Sequence, residues 1–475
     1  MKKIMVLMLM VFTFAATAVL PQSAFAATPK IVHIDSGYHL TAIHKSDGSV
    51  WMTGNRNSVP LRLHGVQDAV TAIPRIGDNY QHHDTLVLYQ DGTVWSVPVD
   101  SAAEPERLTE LEDVVELKDG LDYYIALKRD GTVWTWGSNS YGQLGNGTFN
   151  AGITKMPKQV KGLSSIVAVS ASENFSLALA DDGKVYTWGW WSQGASISFH
   201  SKQYARTTPI RVQGLPKVTA ISAGSSLAMA VDEDGYVYTW GRNALELKTG
   251  ERMLAFIQTP QRIETISDVI DIGVGPVTLY LTRSGEVWQT GQDWQLPYTG
   301  QYKESLTPKR LPKINNAVKI TVRDNTRFVL DADGNAFGWG YAINGHLGTG
   351  KIGWGNWELT PAPVLHPLSI VVNDVEQPYT GVLHQGVTQV PLRKLASQLG
   401  GKLSYQHETK EVTLTKGHQS VTFVPGDSAV EVDGKIIGLG GEIRNYNNET
   451  YVPLRFFSEL FGASVRWDAE AGRIL

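Results

Sequence analysis

Short acidic and histidine runs are the stretches of this chain best suited to chemistry. Asp181-Asp182 and Asp232-Glu233-Asp234 set carboxylates side by side, as acid–base catalysis needs when two of them share a pocket. Each run stands directly before a glycine, Gly183 or Gly235, and Asp at a hairpin apex needs no catalytic role. The turn reading is preferred, because the Asp recurs in nearly every copy of a repeat described below. His82-His83-Asp84 has the close spacing of a metal-ligand set. It falls where neighbouring copies carry Asp122-Tyr123-Tyr124 or Asn174-Phe175-Ser176, just before an apolar strand, which favours a local role. Gly145 to Thr148 is too short for a phosphate loop and lacks its lysine. The chain has neither a G-x-S-x-G nor an H-E-x-x-H stretch. With Cys at 0, disulfides, thiolate metal sites and thiol nucleophiles are excluded. The expectation is no catalytic constellation, no metal and no cofactor.

The aromatic residues divide in two. Trp51, Trp95, Trp134, Trp136, Trp188, Trp240, Trp288 and Trp339 recur at repeat positions, where packing explains them. Trp190, Trp191, Trp294, Trp354 and Trp357 lie off the repeat, between hairpins. These five are the candidate ligand-binding residues, suited to a protein or glycan contact and equally to capping the sheets. A formal net charge of -4 with 19% charged residues argues against a polyanion-binding surface, so nucleic acid is not an expected partner.

The elements that would position such residues are hairpins. Stretches such as "LKRDGTVWTWG", "LADDGKVYTWG" and "VDEDGYVYTWG" place turn glycines at Gly48, Gly92, Gly131, Gly183, Gly235, Gly285 and Gly334, with successive gaps of 44, 39, 52, 52, 50 and 49 residues. Each Asp-Gly reads as the positive-φ pair of a two-residue hairpin turn. Alternating apolar residues precede it and a β-branched–aromatic pair follows, as in Val133-Trp134. Such hairpins need neighbours to bury both faces, and a unit of about 50 residues with about four strands suits a propeller blade.

These hairpins, together with "SNSYGQLGNG" after Gly137, resemble the repeat of the regulator of chromosome condensation family. The resemblance implies an all-β, seven-bladed β-propeller over residues 27–365, closed by a shared blade in which Thr360 to Leu365 joins Pro29 to Ile34. The glycine-rich loop is complete at Gly142 to Gly147 and weaker at Asn344 to Gly350; elsewhere other sequences replace it.

Beyond His366 the rhythm changes. "VPLRKLASQLGGKLSYQ" from Val390 and "VPLRFFSELFGASVRWD" from Val452 align at an offset of 62. Leu392, Leu395 and Leu399, and Leu454, Phe457 and Phe461, mark one face of a short helix. Pro391 and Pro453 stand at the first turn, and Gly400 and Gly462 just past the end. Residues 366–475 thus read as a small α+β domain with an internal duplication, which resembles the copper amine oxidase N-terminal-like domain. Its histidines, His384, His407 and His418, lack the pattern of a metal triad, so copper is not implied.

Residues 1–26 have a basic start at Lys2-Lys3, an apolar run from Ile4 to Leu20 and an Ala24-Phe25-Ala26 cleavage pattern, which together predict a signal peptide. No later run is apolar enough to span a membrane. The combined expectation is a secreted or cell-surface bacterial protein that is not an enzyme. It presents a propeller face to an extracellular protein, with the tail as surface adaptor. A cell-wall or glycan-binding role is the alternative, and a propeller lyase or hydrolase a third. The resemblance includes an exported β-lactamase inhibitory protein. The founding member's nucleotide-exchange role does not carry over to an exported chain.

Overall fold

The computed structural model describes residues 28–475 except 38, 77–82, 100–102, 191–204, 225, 247–251, 294–302, 342, 354–356, 433–434, 455, 457–466, 469–472 and 475. The expected signal peptide therefore lies outside the described residues.

Seven four-stranded antiparallel sheets follow one another, and the strands of each pair in chain order. Their first strands are Ile31–Ser36, Ala69–Ile76, Val114–Asp119, Ile166–Ala171, Val218–Ala223, Val269–Gly273 and Ala317–Arg323. Each first strand touches that of the next sheet, and the seventh touches the first. These are seven blades around a channel, with the first strands innermost.

The second strands explain how blades pack. In Phe175–Ala180 all six residues are buried. Phe175, Leu177 and Leu179 join a core shared with blade 5, while Ala178 and Ala180 join one shared with blade 3. Alternation of large and small side chains thus supplies two faces of different depth to two neighbours. A separate apolar core fills each of the seven seams. The Trp of the "WG" ending sits in several of them: Trp136, Trp188, Trp240 and Trp339.

The hairpin turn differs from the two-residue form read from the sequence. Lys128 carbonyl accepts from Gly131 N–H, the loop has three residues, and Gly131 alone takes positive φ, at +79°. This is a type I turn followed by a left-handed residue, which leaves Asp130 in an ordinary conformation. Asp130 Oδ1 accepts from Thr132 N–H at 2.9 Å and from its hydroxyl at 2.7 Å. That hydroxyl in turn accepts the Trp134 indole N–H at 3.1 Å. The Asp-Gly-Thr-Val-Trp stretch is therefore one hydrogen-bonded relay, repeated at Asp91-Thr93-Trp95. Glycine is needed for a second reason: a Cβ on Gly131 would lie 3.1 Å from Ser165 Cα at the entry to blade 4.

The expected shared blade does not form. Ile31–Ser36 pairs with Leu40–Lys45 within blade 1, and Trp357–Pro363 pairs with Ala336–Tyr341 within blade 7. Blade 1 already owns a fourth strand, Asn57–Gln67, so no edge is vacant for a strand from the other end. The weaker glycine-rich loop closes the ring instead. Arg56 N–H donates to Asn344 carbonyl at 2.9 Å, Thr53 hydroxyl donates to Gly345 carbonyl at 2.9 Å, and Leu347 enters the seam core with Ile31, Ile43 and Trp51. The complete loop does the same between blades 3 and 4, where Gln143 carbonyl accepts the Trp188 indole N–H at 2.8 Å.

Beyond blade 7, His366–Val372 begins a seven-stranded mixed sheet. Val390 pairs with Val452 across strands Val387–Pro391 and Glu449–Pro453. These are equivalent residues of the two copies, 62 apart, so a pseudo-twofold axis passes between them. The helix Leu392–Gln398 ends as expected: Gly400 has φ +77°, and Gly400 and Gly401 N–H groups donate to Ser397 and Ala396 carbonyls in a Schellman arrangement. Pro391 is the residue just before this helix, not inside its first turn. Leu454 and Phe456 begin the second helical stretch, whereas Phe457, Phe461 and Gly462 lie outside the described residues. The tail docks on blade 1 through a small core of Val59, Leu365, Val382, Tyr446 and Tyr451, an Arg62–Glu376 ion pair at 2.8 Å and a bond from Lys45 Nζ to Pro367 carbonyl at 2.9 Å.

Candidate functional site

Each inner strand starts with a β-bulge, between residues 31 and 33, 69 and 71, 166 and 168, and so on around the ring. The residue so displaced is apolar and exposed in six blades: Val32, Val70, Val115, Val167, Ile270 and Val318. One step inward the seven blades carry His33, Thr71, Glu116, Ala168, Ala220, Asp271 and Lys319, each opposite the same place on the second strand. A further turn of the pleat brings Asp35, Lys118, Ser170, Ser222 and Thr321.

That deeper level joins blades. Ser170 and Ser222 hydroxyls accept from Ala223 and Val274 N–H groups at 3.0 and 3.1 Å. Asp35 Oδ2 accepts from Ala72 N–H at 2.9 Å, and Thr321 donates to Ile34 carbonyl. Asp35 does more than its serine counterparts. His33 Nε2 lies 2.7 Å from Oδ1 and His44 Nε2 3.0 Å from Oδ2. Burial alone would raise its pKa, but His33 and then His44 outweigh that and hold it well below the carboxylate range. His33 itself is pushed down by burial, which exceeds the pull of Asp35.

The channel, a cavity of about 370 Å³, is charged on blades 1, 3, 6 and 7 and lined by Ala and Ser on blades 4 and 5. At the far ends of the inner strands Arg323 of blade 7 reaches Asp119 of blade 3, Nη2 to Oδ2 at 2.9 Å, and also bonds the Asp119 and Gly120 carbonyls. Blades 7 and 3 are separated by blades 1 and 2, so this ion pair bars the channel from wall to wall. Burial raises the Asp119 pKa despite Arg323, and burial likewise raises Asp271. Lys319 is lowered by burial. For Lys118 burial acts in the same sense, yet Glu116 and Asp35 more than offset it and the pKa is raised. A larger cavity, about 750 Å³, lies in the tail beside Arg393, Lys394, Tyr405 and Glu449; its Lys394–Glu449 pair at 3.3 Å is partly exposed and points to no chemistry.

The third strands end, and the fourth strands begin, toward the barred face; the connections between them differ in length. They run from two residues in blade 1 (55–56) to fifteen in blade 7 (342–356). Two of the expected contact residues are described there. Trp190 lies 5.5 Å from the ring of Tyr141 in the glycine-rich loop, and Trp357 lies 4.8 Å, edge-on, from Tyr341. Both are partly exposed, so each has a packing neighbour and a face left to water. Trp191, Trp294 and Trp354 lie outside the described residues.

Against known proteins, a family model of the RCC1-like domain matches residues 15–384. The chain belongs to the RCC1-like family. The copper amine oxidase N-terminal domain matches residues 371–475, so an RCC1-like propeller is followed by a domain of that second family. The human E3 ubiquitin-protein ligase HERC2 is 37% identical over 146 residues, 30% of this chain and 3% of the ligase. The Xenopus laevis regulator of chromosome condensation is 24% identical, covering 58% of this chain and 70% of its own. The Arabidopsis thaliana ultraviolet-B receptor UVR8 is 25% identical over 55% and 61%. This chain thus spans a very small part of HERC2 and under two thirds of UVR8. Among solved structures, human WBSCR16 gives a TM-score of 0.49 at 21% identity over 71% of this chain and 82% of its own. Yeast RCC1 (Prp20) bound to Kap60 gives 0.48 at 18%, over 70% and 74%.

In this RCC1-like propeller the acidic runs are turn residues: Asp182 Oδ1 accepts from Lys184 N–H, and Asp232 Oδ1 from Asp234 and Tyr236 N–H. His83 and Asp84 open the second strand of blade 2 and face Ile76 and Arg75 in register, while His82 lies outside the described residues. Among the described residues no group of three or more His, Asp or Glu is placed to hold a metal, and no helix is long and apolar enough to cross a membrane. The channel charges were missed by reading motifs. Their signal was available in the repeat: His33, Glu116 and Lys319 each stand 15 residues before a turn glycine, where Ala168 and Ala220 stand in blades 4 and 5.

Proposed function

We propose that this protein is an exported, non-enzymatic binding protein whose propeller presents its barred face to a protein ligand, with the tail as surface adaptor. RCC1-like propellers are typically protein-interaction scaffolds. The observation that carries the reading is the contrast between seven near-repeated blades and the third-to-fourth-strand connections, which differ in length and sequence and leave from strand ends on one face. A rigid frame with variable loops at one end is how binding specificity is built. Partly exposed Trp190 and Trp357, steadied by Tyr141 and Tyr341, have the area and rigidity of contact residues. The apolar leader-like residues 1–26 support export.

The test is capture by the full mature chain from concentrated culture proteins, in parallel with purified cell walls and soluble glycans. A discrete protein, retained by wild type and lost from the Trp190→Ala, Trp357→Ala double variant, supports the reading. Retention on walls released by soluble glycan, with the same dependence on those residues, replaces it with the glycan-binding one.

A further inference from the structure

The channel holds two charges that the fold does not require. Lys319 and Asp271 occupy one level of the wall on neighbouring inner strands, Ala317–Arg323 and Val269–Gly273. Blades 4 and 5 carry Ala168 and Ala220 at that level and close their seams as well as the rest. The other charges there are spoken for: Glu116 accepts Val169 N–H at 2.9 Å and pairs with Lys118 at 3.3 Å, Asp35 binds two histidines, and Asp119 binds Arg323. Among the described residues Lys319 forms no ion pair or hydrogen bond, and the Asp271 carboxylate accepts only Ile272 N–H at 2.9 Å. No ion pair joins Lys319 to Asp271.

We propose that this channel binds a small zwitterion of the α-amino-acid class, its carboxylate on Lys319 and its ammonium group on Asp271. The walls reduce the hydration of both protein charges, lowering the Lys319 pKa and raising that of Asp271. A ligand bearing both opposite charges restores what each has lost, whereas a simple anion or cation satisfies one and repels the other. The Arg323–Asp119 pair spans the channel at one end, which makes the other end, where the inner strands begin, the wider way in for a ligand. A cavity of about 370 Å³ is ample for a free amino acid.

The experiment is isothermal titration and thermal shift of the full mature protein with a panel of free L-amino acids. For each binder the matching amine without carboxylate and acid without ammonium are titrated too. At least one amino acid is expected to bind, with both half-molecules and both the Lys319→Ala and Asp271→Ala variants about tenfold or more weaker. Alanine is what blades 4 and 5 already carry, and unaltered melting of the free variants confirms folding. Absence of any binder at about 10 mM, or affinity unchanged in both variants, overturns the proposal. Protein capture at the barred face is read separately, so either result can fail without the other.

Discussion

Arg323 and Asp119 are 204 residues apart in the chain and 2.9 Å apart across the channel. The guanidinium also holds the Asp119 and Gly120 backbone carbonyls, so it ties two non-adjacent blades together through a carboxylate and two carbonyls. Arg323→Ala should therefore cost about 2 kcal/mol, since it strands a partly buried carboxylate. Asp119→Asn should cost less, about 1 kcal/mol, because the backbone bonds survive. Burial raises the Asp119 pKa above its ordinary 3.8. Its contribution is thus present below that value and lost as pH rises through the folded pKa. Urea midpoints of the two variants against wild type check the ranking.

Asp35 has the opposite sign. Its pKa sits well below 3.8, so the stability it supplies is present above 3.8 and lost as pH falls through the lower folded value. Asp35→Asn should lose about 2–4 kcal/mol at neutral pH, because the amide cannot accept from both histidines and Ala72. The gap from wild type should narrow below about pH 4, as chemical unfolding across pH would show.

The ring clasp carries a buried histidine. His346, in the loop that closes blade 7 on blade 1, is 1% exposed, and burial pushes its pKa from 6.5 to about 4. The unfolded chain takes up the proton first, so its contribution is intact above pH 6.5 and declines toward pH 4. That loss is about 1.4 kcal/mol per pH unit. His346→Gln places at this site the residue that blade 3 carries, Gln143. It should flatten this part of the stability profile; a profile unchanged from wild type would remove His346 as its source.

Gly145 tests how the complete glycine-rich loop docks. Its φ is +63°, and an added Cβ would sit 2.8 Å from Trp188 Cδ1. Gly145→Ala should cost about 2–3 kcal/mol, combining backbone strain with displacement of a core Trp. Gly162 also has positive φ, +83°, but open space around it. Gly162→Ala should cost only about 1 kcal/mol. Thermal unfolding of the pair separates the two effects.

The parts legible in the sequence were the local ones. The Asp130-Gly131-Thr132-Val133-Trp134 relay closes within five residues and recurs at Asp47-Ser49-Trp51 and Asp91-Thr93-Trp95, so those copies announce themselves. The turn type is not legible because Asp-Gly fits both a two-residue turn and a three-residue turn with a left-handed glycine. Ring closure is not legible because Thr360 to Leu365 suits a strand in either blade. What decided it was that Asn57–Gln67 already fills the edge of blade 1.

Blade number, hairpins and the duplicated tail can be read off the chain alone, because repetition and short-range hydrogen bonding are written at fixed spacing. The sequence even holds the equivalence of Val390 and Val452 in its offset of 62. Ring closure settled which strand lines the channel, that His33, Asp35 and His44 form one group, and that, among the described residues, Lys319 and Asp271 have no ion-pair partner while Arg323 finds one across the ring. Those outcomes depend on closing seven blades into a circle. Charges far apart in the chain meet there, and burial and pairing are settled by neighbours that no local pattern names.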